Sequence, residues 1–281
     1  MITPSERTFS INGRTMAARC WHDSTKPPLL ALHGWLDNAA TFDLLAPLLD
    51  DFHIVALDFA GHGWSEHRAA GARYHILDHV DDVLSVVNQL GWQQFTVMGH
   101  SMGAGVASLF ASALPERVQK LVMIEGLGPY TGKPEDAAKH LRTALLEWQD
   151  FADKPRLIAG MDIAIQARMN GLLPVSENAA RLLCARGVKV VDGGFMWTAD
   201  KRLRLSSPSR FSEAQVCAFL SAITVPTLLI MAENSLPFNP HDYAARVAAH
   251  PQLMLVKLAG GHHLHVDDNV DGVFQAIKTF L

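Results

Sequence analysis

A chain of 281 residues with 49% hydrophobic and 19% charged residues can bury a substantial core, as one large domain or one domain carrying an insertion. A net charge of −4, with no block of Lys or Arg, argues against nucleic acid or an anionic membrane surface as a partner. No apolar run approaches the ~18 residues that span a bilayer, and the opening Met1–Arg7 lacks a charged segment followed by an apolar one, so a cytoplasmic protein is expected. Three widely spaced cysteines, Cys20, Cys184 and Cys217, have neither the number for a disulfide framework nor the spacing for zinc, and read as buried thiols.

In chain order, residues 7–21 hold two short strand-like runs around Asn12-Gly13, a strong hairpin signal. Leu29–Leu32 is apolar at every position, as expected of a strand covered on both faces, and it ends in His33-Gly34-Trp35. Residues 39–49 carry apolar positions at helical spacing, and 52–57 form the next strand, followed by the turn-rich Asp58–Ser65. A helix over 76–90 closes at Gly91; then come a strand at 94–98, a tight turn, a helix over 102–113 and a strand over 118–124. Strands alternating with helices at this spacing imply right-handed crossovers and a parallel sheet. From Gly128 the pattern changes: 134–220 read as helical, with no convincing strand. Strands resume at 225–231 and 253–258, with helices at 240–249 and near 270–280. The expected organisation is a core of 1–127 and 221–281 with a helical cap inserted at 128–220.

The chemistry centres on Gly99-His100-Ser101-Met102-Gly103, set between strand and helix. In such a nucleophile elbow the central serine sits at a sharp bend, its hydroxyl projecting from the sheet. A serine hydroxyl is a poor nucleophile at neutral pH and needs a base oriented by a carboxylate. His262 follows the last strand and two glycines, and is the expected base. Its neighbours His263 and His265 read as core histidines, and no metal site is expected because further ligands at fixed spacing cannot be placed. Asp58, His62 and Ser65 are expected to fix their loop by local hydrogen bonds.

These motifs, with Pro115-Glu116-Arg117-Val118, resemble those of the α/β-hydrolase superfamily from about residue 6 to the end. Leu32–Asn38 and Asp200–Leu205 are similar to the serine hydrolase-like proteins within it. The resemblance implies the α/β-hydrolase fold, a mostly parallel sheet flanked by helices. It also implies an oxyanion hole from the backbone N–H groups of Trp35 and Met102, and His33 is read as bracing that loop.

The acid departs from the family pattern. Its commonest position, shortly after the seventh strand, falls on Ser235, whose uncharged hydroxyl cannot stabilise an imidazolium. Glu125 and Glu233 are the candidates; Glu125 is preferred because it ends a strand beside the elbow, on the functional edge of such a sheet. The expected activity is that of a cofactor-free serine carboxylesterase on small to medium acyl esters, with Ser101, His262 and Glu125 as the triad and a small-molecule substrate. Hydrolysis of a C–C bond, perhydrolysis, or a catalytically weak ligand-binding role are the alternatives.

Overall fold

The computed structural model describes residues 2–154, 156–235 and 240–281; Pro155 of the expected insertion and 236–239 of the expected core lie outside it. The chain opens with β1 (Ser5–Ile11) and β2 (Arg14–Trp21), an antiparallel hairpin turned by Asn12 and Gly13 at φ 50° and 75°. Two positive φ angles in a two-residue loop match the twist of the flanking strands, and Asn-Gly adopts them at small cost. There follow β3 (Pro28–Leu32), β4 (His53–Leu57), α1 (Ile76–Gln89), β5 (Phe95–His100), α2 (Met102–Ala113) and β6 (Val118–Ile124). Between β6 and the next strand of the sheet, the stretch expected as an insertion holds α3 (Ala137–Asp150), α4 (Met161–Met169), α5 (Glu177–Gly187), β7 (Val188–Val191), β8 (Gly194–Trp197) and α6 (Glu213–Ser221). The chain closes with β9 (Thr227–Ala232), α7 (Pro240–Ala249), β10 (Leu253–Leu258) and α8 (Val270–Phe280).

Among the described residues, eight strands form one sheet in the order β1-β2-β4-β3-β5-β6-β9-β10, with every pairing parallel except β1–β2 and β2–β4, so that β2 alone is reversed. Alternation along each strand divides its apolar residues between two cores. Leu30, Leu32, Val97, Leu121, Met123 and Leu229 pack with α1 and α2 on one face. Leu29, Ala31, Met98, Val122, Ile124 and Leu228 pack with Phe42, Leu45 and α8 on the other. Both faces are covered, which is why Leu29–Leu32 of β3 reads as a continuous apolar run. Each fully buried aliphatic side chain contributes about 1.5–3 kcal/mol.

Two stretches differ from the sequence expectation. Residues 39–49 are not one helix but two 3-10 turns, Ala39–Phe42 and Ala46–Leu48. Pro47 lacks the N–H that a continuous helix would donate to residue 43, and its ring would crowd that turn. The insertion contains a strand pair, β7–β8, where none was expected. Its turn is Asp192-Gly193, with Gly193 at φ 85°, a hairpin dipeptide hidden by strands only four residues long.

Within the insertion, α4, α5 and their neighbours share a small apolar cluster around Ile158, Ala164, Ala180 and Cys184. At its far end α6 instead places Val216 and Leu220 in the core beside α2. The insertion is tied to the sheet's loops by polar anchors. Arg186 of α5 is fully buried; its Nε donates to Asp58 Oδ2 at 2.7 Å and its Nη1 to both Glu6 oxygens at 2.8 and 2.9 Å. Asp58 also accepts from the backbone N–H groups of Ala39 and Trp64, at 2.7 and 2.8 Å, while Ser65 Oγ donates to the Asp58 carbonyl at 2.6 Å.

Candidate active site

β5 and α2 meet at Ser101, which adopts φ 53°, ψ −114°. This conformation costs a non-glycine residue about 1–3 kcal/mol and persists only where surrounding structure imposes it. Here Ser101 N donates to Ile124 O at 2.8 Å, locking the turn to the end of β6. Side chains are excluded on either side: a Cβ on Gly99 would strike the backbone of Gly103, and one on Gly103 the carbonyl of Leu32. Met102 is the first residue of α2, so its N–H belongs to the opening turn, whose donors have no intrahelical acceptor.

Glu125 leaves β6 at the same edge. It too has a positive φ, 55°, and its N–H donates to Ile230 O at 2.9 Å. The side chain is buried and fully engaged: Oε1 accepts from Ala232 N, while Oε2 accepts from Ser235 Oγ at 2.6 Å and lies 3.2 Å from His262 Nδ1. Glu233 is exposed, its N–H bonded to Leu258 O at 2.9 Å. Of the two carboxylates the sequence left open, Glu125 therefore reaches the imidazole. Ser235, at the position where the family's acid was sought, touches that carboxylate.

His262 follows Gly260 (φ 131°) and Gly261, whose N–H donates to Asp268 Oδ2 at 2.7 Å. With Nδ1 directed to Glu125, the buried Nε2 has no hydrogen-bond partner among the described residues. That atom can accept a proton. The loop is also held by His100: its imidazole lies with Nε2 2.9 Å from the His262 carbonyl, and its ring packs at a tilt against those of His262, His263 and His265. Burial, reinforced by the neighbouring histidines, pushes His100 and His265 well below the usual imidazole range, so these two rings are neutral.

A charged group the sequence reading missed lies beside it. Asp37 is buried, its Oδ2 3.0 Å from His263 Nε2, and it accepts at Oδ1 from Arg168 Nη2 at 2.9 Å. Burial alone would raise the Asp37 carboxyl, but the hydrogen bond to His263 and the Arg168 guanidinium hold it well below the usual carboxylate range. Asp37, His100 and His263 bring three ligand-type atoms within 4.8 Å of one another. The cation seated against them is the Arg168 guanidinium, itself 3.0 Å from His263 Nε2. Nothing in the local sequence of α4 singles out Arg168.

The turn after β3 supplies Trp35. The residue is 41% exposed, and its Nε1 donates to Leu203 O at 2.9 Å, tying the segment 200–205 to this turn. His33 braces this turn, Nδ1 lying 2.7 Å from Gly34 O and Nε2 accepting from Phe59 N at 3.0 Å. Asp200 secures the same segment: its N–H donates to Gly61 O at 2.8 Å, and its carboxylate accepts from Tyr74 Oη at 2.7 Å and from Arg202.

Comparison with known proteins agrees with the fold. A family model described as the alpha/beta hydrolase fold matches residues 27–269. A serine hydrolase-like protein of Danio rerio is 32% identical over 288 residues, covering 99% of this chain and 88% of its own. Among solved structures, a hypothetical protein from Pseudomonas aeruginosa PAO1 superposes with a TM-score of 0.92 at 42% identity, covering 98% of both chains. The thioesterase domain from the curacin biosynthetic pathway gives a TM-score of 0.87 at 26% identity, covering 98% of this chain and 99% of that domain.

Proposed function

The chain belongs to the alpha/beta hydrolase fold family and, within it, to the serine hydrolase-like proteins, and from that membership we propose that it hydrolyses a carboxylic ester of small to medium acyl chain through Ser101. The observation that carries this reading is the Glu125–His262 contact at the edge where the elbow presents Ser101.

In the proposed reaction Ser101 Oγ attacks the ester carbonyl while His262 Nε2 takes the hydroxyl proton. Glu125 holds the imidazole with its proton on Nδ1 and stabilises the imidazolium. The oxyanion of the tetrahedral intermediate is received by the backbone N–H groups of Trp35 and Met102, each such donor contributing about 2.7–4 kcal/mol in the transition state. Collapse breaks the ester bond, and the leaving alcohol takes the proton from His262. Water then enters, gives a proton to His262 and attacks the acyl-enzyme; the acid product leaves and Ser101 regains its hydrogen. The insertion acts as a cap, and the side chains of Trp35 and Met102 border the acyl site.

A second reading, thioester hydrolysis on the same residues, is favoured by the likeness to the curacin thioesterase domain. Turnover of p-nitrophenyl esters from acetyl to dodecanoyl, set against acyl-pantetheine thioesters of matched length, separates the two. Ser101→Ala is the control. Ser101-dependent release from the oxygen esters supports the first reading, and release from the thioesters alone supports the second.

A further inference from the structure

The acid of this site is not held as a lone carboxylate. Glu125 Oε2 is shared by two donors, Ser235 Oγ at 2.6 Å and His262 Nδ1 at 3.2 Å, while Oε1 is fixed by the Ala232 N–H. Ser235 follows β9 and Glu125 follows β6, neighbouring strands of the sheet, so the hydroxyl reaches the carboxylate from the side opposite the elbow's strand. Resting on the hydrolase reading above, we propose that Ser235 is a positioning residue, which fixes the rotation of the Glu125 carboxylate and sets how much of its charge falls on His262.

Two effects follow from the shared oxygen. The hydroxyl pins Oε2 in the line of Nδ1, so that the imidazole is presented in one tautomer and one orientation. It also draws charge from that oxygen, because a hydrogen bond to an ionised acceptor is stronger than one between neutral groups. Without it, more of the carboxylate charge stabilises the imidazolium. The base is then protonated over a wider range of pH, and the carboxylate is free to turn away.

The test is steady-state kinetics of Ser235→Ala and Ser235→Thr on the best p-nitrophenyl ester, across pH, with melting temperatures as a check on folding. Loss of one hydrogen bond to a charged acceptor corresponds to about tenfold in rate. Ser235→Ala is therefore expected to lose about tenfold in kcat with KM little changed, and the acidic limb of its kcat/KM profile moves to higher pH. Ser235→Thr keeps the hydroxyl and both properties. A Ser235→Ala enzyme with wild-type kcat and an unshifted limb overturns the proposal, as does equal loss in both variants with the limb unmoved, which marks packing alone. Ser101→Ala run alongside keeps the two levels apart: turnover surviving that change overturns the serine hydrolase reading itself, whatever happens at 235.

Discussion

His262 Nδ1 lies 3.2 Å from Glu125 Oε2, joining the loop after β10 to the loop after β6 across 137 residues of sequence. Glu125→Gln preserves shape but removes the charge and can hold the wrong tautomer. It is expected to lower kcat by about 10⁴ with the fold intact. Glu233→Gln, at an exposed position, should leave turnover near wild type. Parallel ester assays of the two variants check this, and a crippled Glu233→Gln beside a normal Glu125→Gln reverses the assignment.

Gly103 is a backbone requirement, since a Cβ there would strike the Leu32 carbonyl where β3 passes beneath the elbow. Gly103→Ala must push α2 and Ser101 off the sheet. The expected outcome is loss of Ser101-dependent turnover together with a lowered melting temperature, whereas Gly13→Ala, facing open space but at a positive φ, affects stability alone.

Arg186 and Asp58 form an ion pair with both side chains fully buried. Removing one partner of such a pair strands the other charge, at a cost of about 3–5 kcal/mol. Arg186→Met is therefore expected to destabilise the protein by that order in urea titration and to loosen α5 from the sheet's loops. A change below about 1 kcal/mol, the range of exposed pairs, contradicts the anchoring role.

Stability should fall on the acid side. Burial pushes His62 down to about 3, with His33 adding to the effect, and likewise holds His79, His100 and His265 well below the usual imidazole range. The unfolded chain takes up protons at these sites near pH 6.5 while the folded chain does not. Unfolding is thus favoured as pH falls below about 6.5, each histidine adding a slope approaching roughly 1.4 kcal/mol per pH unit until its folded value is reached. Above that pH these groups are neutral in both states and contribute nothing. Melting temperature against pH reads this directly; a curve flat from about pH 7 to pH 4 contradicts it.

Much of this was legible because local signals agreed with the fold. Asn12-Gly13 names its hairpin, and the unbroken apolar runs at 29–32 and 121–124 announce strands covered on both faces. Gly99–Gly103 marks its bend because both glycines answer to backbone packed within contact distance. What was missed depends on chain segments distant in sequence. That Ser235 would bond to Glu125, or that Arg168 would settle on Asp37, is decided by the order of strands and the docking of α4. The 39–49 stretch shows the opposite failure: its apolar spacing is helical, and Pro47 overrides it.

The central claim is that Ser101 is a nucleophile activated by His262. Intact-mass measurement after exposure to a fluorophosphonate tests it most directly, since that reagent phosphonylates an activated serine and needs no knowledge of the substrate. The account predicts one adduct per chain, mapped to Ser101, absent from Ser101→Ala and strongly slowed in His262→Ala. An unmodified wild-type protein, or an adduct that survives Ser101→Ala, contradicts it.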